Sequence, residues 1–347
     1  MAAVVGVVGM ALIVQGCGGG GGGAPPAQAR YLVTDLGTLG GTTSEAVDVN
    51  GQGLVVGLSQ TASDAQTHAF VYNEGTMTDL GTLGGDGSGA TGINAAGVVV
   101  GWSQHATGSG VRHAFRWSGN TMTDLGTLGG EGSQANDLND NGVIVGEAQV
   151  AGGAYHAFMY HQGSMTDLGG LGGENRYARA INNAGQVAGR SQLPGSATEH
   201  AFRYNLGAVL DLGTLGGTTS LGYGINSVGW VVGNAQTEAE ETGWPIGHAF
   251  VWRGSTMVDL GTLGGLQSHA HAINDHGWVV GEAETGTGSF HAFVHDGTEL
   301  RDLNDRLAES SAGWTLTTAR AINYTGQIVG QGTNPAGQTR GYLATPE

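Results

Sequence analysis

The stretch Ala90-Thr91-Gly92-Ile93-Asn94-Ala95-Ala96-Gly97-Val98-Val99-Val100-Gly101-Trp102-Ser103 continues into His113-Ala114-Phe115-Arg116-Trp117 and Thr121-Met122-Thr123-Asp124-Leu125. It holds four short apolar segments separated by turn chemistry. Asn94-Ala95-Ala96-Gly97 is a tight hairpin turn in which glycine supplies the positive φ. The predicted strands are Ala90–Asn94, Val98–Ser103, His113–Trp117 and Thr121–Leu125. No segment keeps a 3.6-residue period long enough to make a helix.

This unit recurs along the chain. Asp-Leu begins at Asp35, Asp79, Asp124, Asp167, Asp211, Asp259 and Asp302, and Gly-x-Leu-Gly-Gly follows the first six. Ile-Asn or its equivalent ends at Asn50, Asn94, Asn139, Asn182, Asn226, Asn274 and Asn323, with spacings of 44, 45, 43, 44, 48 and 49 residues. His-Ala-Phe begins at His68, His113, His156, His200, His248 and His291, with Arg340-Gly341-Tyr342 as a degenerate seventh copy. Seven copies of four strands predict an all-β, seven-bladed β-propeller of four-stranded antiparallel blades. The folded region starts with a lone fourth-strand segment, Tyr31-Leu32-Val33-Thr34-Asp35-Leu36, and its last copy stops after a third strand, Arg340-Gly341-Tyr342-Leu343. The N-terminal strand is therefore expected to complete the last blade and close the ring. That closure shields strand edges that would otherwise pair with other molecules.

Composition removes whole classes of chemistry. The 347 residues carry a formal net charge of −17, and all 12 basic residues are Arg. Phosphate backbones would be repelled, so nucleic acid is excluded as a partner. Without Lys there is no Schiff-base lysine and no Walker-type loop. The single Cys, Cys17, leaves no internal disulfide and no thiolate zinc site. The 68 Gly would suggest disorder were they not periodic. Gly-Thr-Leu-Gly-Gly leads into no helix, so these strings read as connections between blades and not as phosphate cradles.

Residues 2–14 carry no polar side chain, a run too short to span a bilayer but suited to a signal-peptide core. Residues 1–16 are read as a signal peptide and 31–347 as one propeller domain. Val14-Gln15-Gly16-Cys17 resembles the lipobox of bacterial lipoproteins. That resemblance implies lipidation of Cys17, a membrane attachment through an N-terminal lipid anchor, and a Gly/Pro-rich tether over 17–30. Gly18 in place of Asp after the Cys is compatible with outer-membrane sorting. The expected location is the bacterial cell envelope, as an outer-membrane lipoprotein or an extracellular protein.

The repeated His-Ala-Phe, Asp-Leu-Gly-Thr-Leu-Gly-Gly and Ile-Asn-x-x-Gly-x-Val-Val-Gly together resemble the bacterial HAF-repeat family, whose members are read as extracellular. The resemblance covers residues 31–343. It implies export and a repeat architecture, and it supplies no reaction and no catalytic residues.

Regular residues read as framework. His68, His113, His156, His200, His248 and His291 are expected to be structural, each hydrogen-bonded to the equally regular Asp of Asp-Leu. Specific function belongs to positions that vary between copies, two and four places before the Ile-Asn pair. These bring Tyr177, Arg179, Tyr223, His269, His271 and Arg320 toward one region, a set suited to an acidic or sugar ligand. His269-x-His271 could present two imidazoles to a metal, without an identifiable third ligand. The longer fifth copy adds an acidic loop ending in Trp244, a second interaction candidate. Asp137-Leu138-Asn139-Asp140-Asn141-Gly142 matches the first half of a calcium loop, making Asp137, Asn139 and Asn141 candidate calcium ligands. The twelfth place is Ala148 where a bidentate Glu belongs, and a hairpin turn is the competing reading. No other cofactor is expected.

The function expected is that of an exported, surface-tethered, non-enzymatic binding or scaffolding module for a glycan, protein or cell-envelope ligand. The alternative is a propeller hydrolase or lyase acting on extracellular polysaccharide. The irregular acids Glu45, Asp48 and Asp137 lie near the first strand, but nothing in the sequence marks two of them as a catalytic pair.

Overall fold

A computed structural model describes residues 29–108, 110–238 and 246–347. The predicted signal peptide, Cys17, most of the tether and Trp244 lie outside the described residues. Twenty-eight strands form seven four-stranded antiparallel sheets. Blade 1 runs β2 (Gly40–Val49), β3 (Val55–Thr61), β4 (Thr67–Asn73), β5 (Thr76–Asp79). Blades 2 to 6 repeat this order over Ser88–Asp124, Gly129–Asp167, Arg176–Asp211, Gly216–Asp259 and Gly264–Asp302. Blade 7 takes β26 (Thr315–Ile322), β27 (Ile328–Thr333) and β28 (Thr339–Pro346) from the C-terminus and its outer strand from β1 (Tyr31–Asp35). In that closure Tyr31 pairs with Pro346 and Asp35 with Tyr342. The seven-bladed ring read from the repeats is the observed fold.

Hydrophobic burial is distributed over seven interfaces instead of one centre. At each interface the small face of one blade meets the large face of the next. Val56 and Ala69 of blade 1 pack with Ile93, Val99 and Phe115 of blade 2. Val100 and Ala114 of blade 2 then pack with Leu138, Ile144 and Phe158 of blade 3. Ala321 and Val329 of blade 7 close the circuit on Val49, Val55 and Phe70 of blade 1. The Phe of every His-Ala-Phe is fully buried, and Tyr342 takes its place in blade 7. Interdigitating large and small faces fills the space between radial sheets at interior density.

Polar links run across the same interfaces. Ser88 Oγ of blade 2 donates to Gly81 O at 2.6 Å and accepts from Ala69 N of blade 1 at 2.9 Å. Ser133, Ser220 and Ser268 repeat the arrangement, and Ser44 makes it with Gly341 across the closure. The equivalent place in blade 4 is Arg176. Its guanidinium bonds Asp167 at 2.8 Å, so this blade departs from the common scheme.

The Asn that ends each first strand does more than cap a turn. Asn50 Oδ1 accepts from Gln52 N and Leu54 N of its own hairpin, while its Nδ2 donates to Asn94 O at 3.1 Å. Asn94 donates to Asn139 O, Asn139 to Asn182 O, and Asn182 to Asn226 O. Asn226 donates to Asn274 O, and Asn274 to Asn323 O. Asn323 returns to Asn50 O at 3.0 Å, so the circuit is continuous and lies at one mouth of the central channel.

Candidate functional site

Each innermost strand carries a β-bulge at the same point. The register slips at Ala46/Asp48, Ala90/Gly92, Ala135/Asp137, Ala178/Ala180, Gly222/Gly224, Ala270/Ala272 and Ala319/Ala321. The extra residues are Val47, Thr91, Asn136, Arg179, Tyr223, His271 and Arg320, all of which line one central channel of about 400 Å³. A bulge re-aims a side chain away from the ladder. Here it turns the variable position of every blade toward the axis. The glycine after the apolar pair of each second strand makes room for it. A Cβ at Gly189 would overlap the carbonyl oxygen of Tyr177, and every other blade shows the same close approach.

Four of the residues singled out from the sequence, Arg179, Tyr223, His271 and Arg320, therefore share the channel. Arg320 Nε donates to Glu45 Oε1 at 2.8 Å across the closure between blades 7 and 1. His271 stands 3.6 Å from Glu282 and is tilted against Tyr223 with ring centroids 5.8 Å apart. Burial pushes the Glu282 carboxyl up, but His271 and Arg320 more than offset it and hold it at about 2. His269 turns elsewhere and packs against Phe290. Burial holds its imidazole below the ordinary range, against the raising charge of Glu282.

Tyr177 belongs to a different space, a polar pocket of about 430 Å³ between blades 2, 3 and 4. Arg179 borders both cavities. Tyr177 pairs across the ladder with Arg190, whose guanidinium carbon lies 4.5 Å from the Tyr177 ring centre. Tyr155 stacks on Tyr177 at 6.2 Å, with 26° between the planes. Arg179 reaches Glu147 at 3.6 Å, and Glu147 accepts a hydrogen bond from Asn136. Burial raises the Glu147 carboxyl, opposed by the Arg179 charge, the Asn136 bond and Arg190. Glu147 and Arg190 on second strands, and Arg112 and Tyr155 on third strands, join the site without having been singled out in the sequence, where the variable first-strand positions alone mark candidates. The signal is present: the residue after each second-strand glycine and the residue before each His-Ala-Phe vary between copies, as the first-strand positions do.

The two irregular aspartates sit on the channel wall. Asp48 Oδ2 accepts from Ile93 N of blade 2 at 2.9 Å and its Oδ1 from Val49 N at 2.8 Å. Asp137 repeats this with Ile181 N of blade 4 and its own neighbour Leu138 N. Burial pushes Asp48 up to about 6, against these backbone bonds. Burial and then the nearby Asp48 charge push Asp137 up to about 8.

The calcium-loop candidates are each engaged in other bonds. Both Asp137 oxygens accept from backbone, Asn139 belongs to the asparagine circuit, and Asn141 Nδ2 donates to Asn183 O at 3.1 Å. Among the described residues, no group of three or more His, Cys, Asp or Glu is placed to hold a metal. The six His-Ala-Phe histidines each face the Asp of their own Asp-Leu through Nδ1, from 2.5 Å at His291–Asp302 to 2.9 Å at His200–Asp211. Asp79 also accepts from Gly81 N at 2.7 Å, which ties the start of the blade connector to the third strand.

No family model and no curated protein matches the chain. Solved propellers share its fold at low identity. The propeller domain of the Trilobed protease from Pyrococcus furiosus is 10% identical with a TM-score of 0.54, covering 88% of this chain and 97% of that one. Its reported topology is an open velcro, whereas here β1 and β28 pair within blade 7. Pyrococcus horikoshii acylaminoacyl peptidase is 11% identical with a TM-score of 0.50, covering 87% of this chain and 52% of its own. TolB from Acinetobacter baumannii is 11% identical with a TM-score of 0.49, covering 88% of this chain. This chain spans 64% of that TolB's length. The chain is thus a propeller scaffold.

Proposed function

We propose that this propeller is an exported, envelope-tethered binding module whose ligand is a glycan or protein taken up at the channel and its bordering pocket. The convergence of seven blade-specific bulge residues on one channel carries the reading. A framework built from near-identical parts carries six kinds of side chain at this axis-facing position of its seven blades, with Arg recurring in blades 4 and 7. The repeat grammar, similar to the HAF-repeat family, and the lipobox-like segment ending at Cys17 support export and a lipid anchor at the bacterial cell envelope.

The hydrolase alternative is less well supported by the carboxylates. Glu45 is paired with Arg320, and both oxygens of Asp48 and of Asp137 accept backbone hydrogen bonds. An acid and a base free to meet substrate are what polysaccharide cleavage requires. The test is retention of the propeller on arrayed glycans and envelope fractions, with turnover measured in parallel. Retention without cleavage, weakened by Tyr223→Ala or Arg320→Gln, is the expected result. Cleavage lost on Asp48→Asn or Asp137→Asn would reverse the assignment.

A further inference from the structure

The pocket between blades 2, 3 and 4 has a chemistry of its own. Ligand sites of this size are usually lined by apolar side chains. Among the described residues this one is lined by Arg, Glu, Gln, Ser, Tyr and Gly, with Val111 as the one aliphatic side chain. Three of the chain's 12 basic residues, Arg112, Arg179 and Arg190, border it, in a protein of net charge −17. Two acids, Glu131 and Glu147, also line it, and burial favours the neutral form of Glu147.

The arginines are held in place but incompletely paired. Arg179 reaches Glu147, and Arg190 reaches Glu199, only at 3.6 Å, and the Nε of each is buried without a hydrogen-bond partner. Arg112 lies over the Trp102 ring at 3.8 Å and makes no ion pair among the described residues. Stacking on aromatic rings fixes the plane of a guanidinium while leaving its N–H fork available. A fixed fork prefers a planar, bidentate acceptor such as a carboxylate.

We infer that this pocket binds a carboxylated sugar, a hexuronate residue of an acidic polysaccharide. Arg190 and Arg112 take the carboxylate, Tyr155 and Tyr177 offer ring edges and hydroxyls to the sugar, and Gln134 and Gln149 meet its hydroxyl groups. A wall of hydrogen-bonding groups interleaved with tyrosine rings and side-chain stems suits a polyhydroxylated ligand with both polar and apolar faces. The inference rests on the binding-module reading and gives one of its cavities a ligand class.

Calorimetric titration of the full chain with tri-galacturonate, its methyl ester and tri-glutamate tests it. The acid sugar is expected to bind, with the ester and the peptide each at least tenfold weaker, and added salt should weaken the acid. Arg190→Gln and Tyr177→Ala should each reduce affinity at least tenfold, while Arg116→Gln, away from the pocket, should not. Arg112→Gln, at an exposed site, serves where Arg190→Gln lowers thermal stability. Equal binding of ester and acid would overturn the inference, as would equal binding of the peptide. So would wild-type affinity in both Arg112→Gln and Tyr177→Ala. Retention of neutral glycans, lost on Tyr223→Ala with these pocket variants unaffected, would sink the uronate pocket and leave the module reading standing. Retention of nothing from the glycan and envelope panels would sink both.

Discussion

Asn323 Nδ2 donates to the carbonyl oxygen of Asn50 at 3.0 Å, across 273 residues of sequence. This bond joins blade 7 to blade 1 and completes a circuit whose other links join consecutive blades. It works beside the β1–β28 pairing, at the opposite radius: one closes the ring at its rim, the other at its axis.

Asn323→Ala removes that donor and the acceptor for Gln327 N and Thr325 Oγ1. Unmet buried polar groups make the expected loss about 2–3 kcal/mol. Asn323→Asp keeps the acceptor but sets a carboxylate against the Asn50 carbonyl. It should be more damaging at pH 7 than at pH 4, where the protonated acid can donate. Thermal denaturation at both pH values checks this, and an Asp variant indifferent to pH would refute the link.

Much of this is legible in the sequence. The spacing of Asn50, Asn94 and their equivalents announced seven units, and the lone segment at Tyr31–Leu36 announced the closure. The circuit was not legible, because a turn-capping Asn and a ring-forming Asn look the same in one dimension. Only its occurrence in all seven copies, more than a turn requires, hinted at a second role. The site was half legible. Variation at Arg179, Tyr223, His271 and Arg320 marked the channel wall correctly. Strand alternation predicts Tyr177 and His269, two residues earlier, on the same wall. The bulge breaks that alternation, so Tyr177 faces a separate pocket and His269 packs against Phe290.

Gly189→Ala tests the bulge. The added methyl must displace the Tyr177 carbonyl or the Phe202 ring packed over the glycine. Overpacking against backbone is expected to cost about 3 kcal/mol. It should also disturb Arg179, which the bulge presents. Urea unfolding gives the first quantity, and near-wild-type stability would show that the bulge is not what the glycine serves.

His113 pairs with Asp124 at 2.8 Å and its Nε2 bonds Glu131 O at 3.0 Å, linking blade 2 to the start of blade 3. His113→Ala should lower stability by about 1 kcal/mol, since the pair is partly exposed and hydrogen bonds of this kind contribute modestly. Ligand retention at the channel should be unchanged. A fall in retention at unchanged melting temperature would assign this histidine a binding role instead.

Cys17→Ser tests the anchor. Lipidation at Cys17 should place the wild type in the membrane fraction and release the variant to the soluble one. Fractionation with an immunoblot reads the outcome, and continued membrane association of the variant would reject the anchor.

The channel aspartates make stability depend on pH in a stated direction. Asp137 is held at about 8 in the fold, well above the ordinary carboxylate range. Its contribution is therefore fully present below about pH 4, where both folded and unfolded states are protonated. It is lost progressively as pH rises to about 8, because the unfolded chain gives up the proton first. One such group gives a slope of at most about 1.4 kcal/mol per pH unit. Asp48, held at about 6, acts over the lower part of the same window. Removing its charge should also lower the Asp137 value, since Asp48 is one of the causes that raise it. Melting temperatures measured from pH 4 to 9 should fall for the wild type from about 4 to about 8, more steeply in the lower half where both groups act, and level off above. Asp137→Asn should flatten that fall whatever its absolute stability, and Asp48→Asn should shift it to lower pH. An Asp137→Asn variant with the wild-type slope would mean that this carboxyl titrates where an exposed one does.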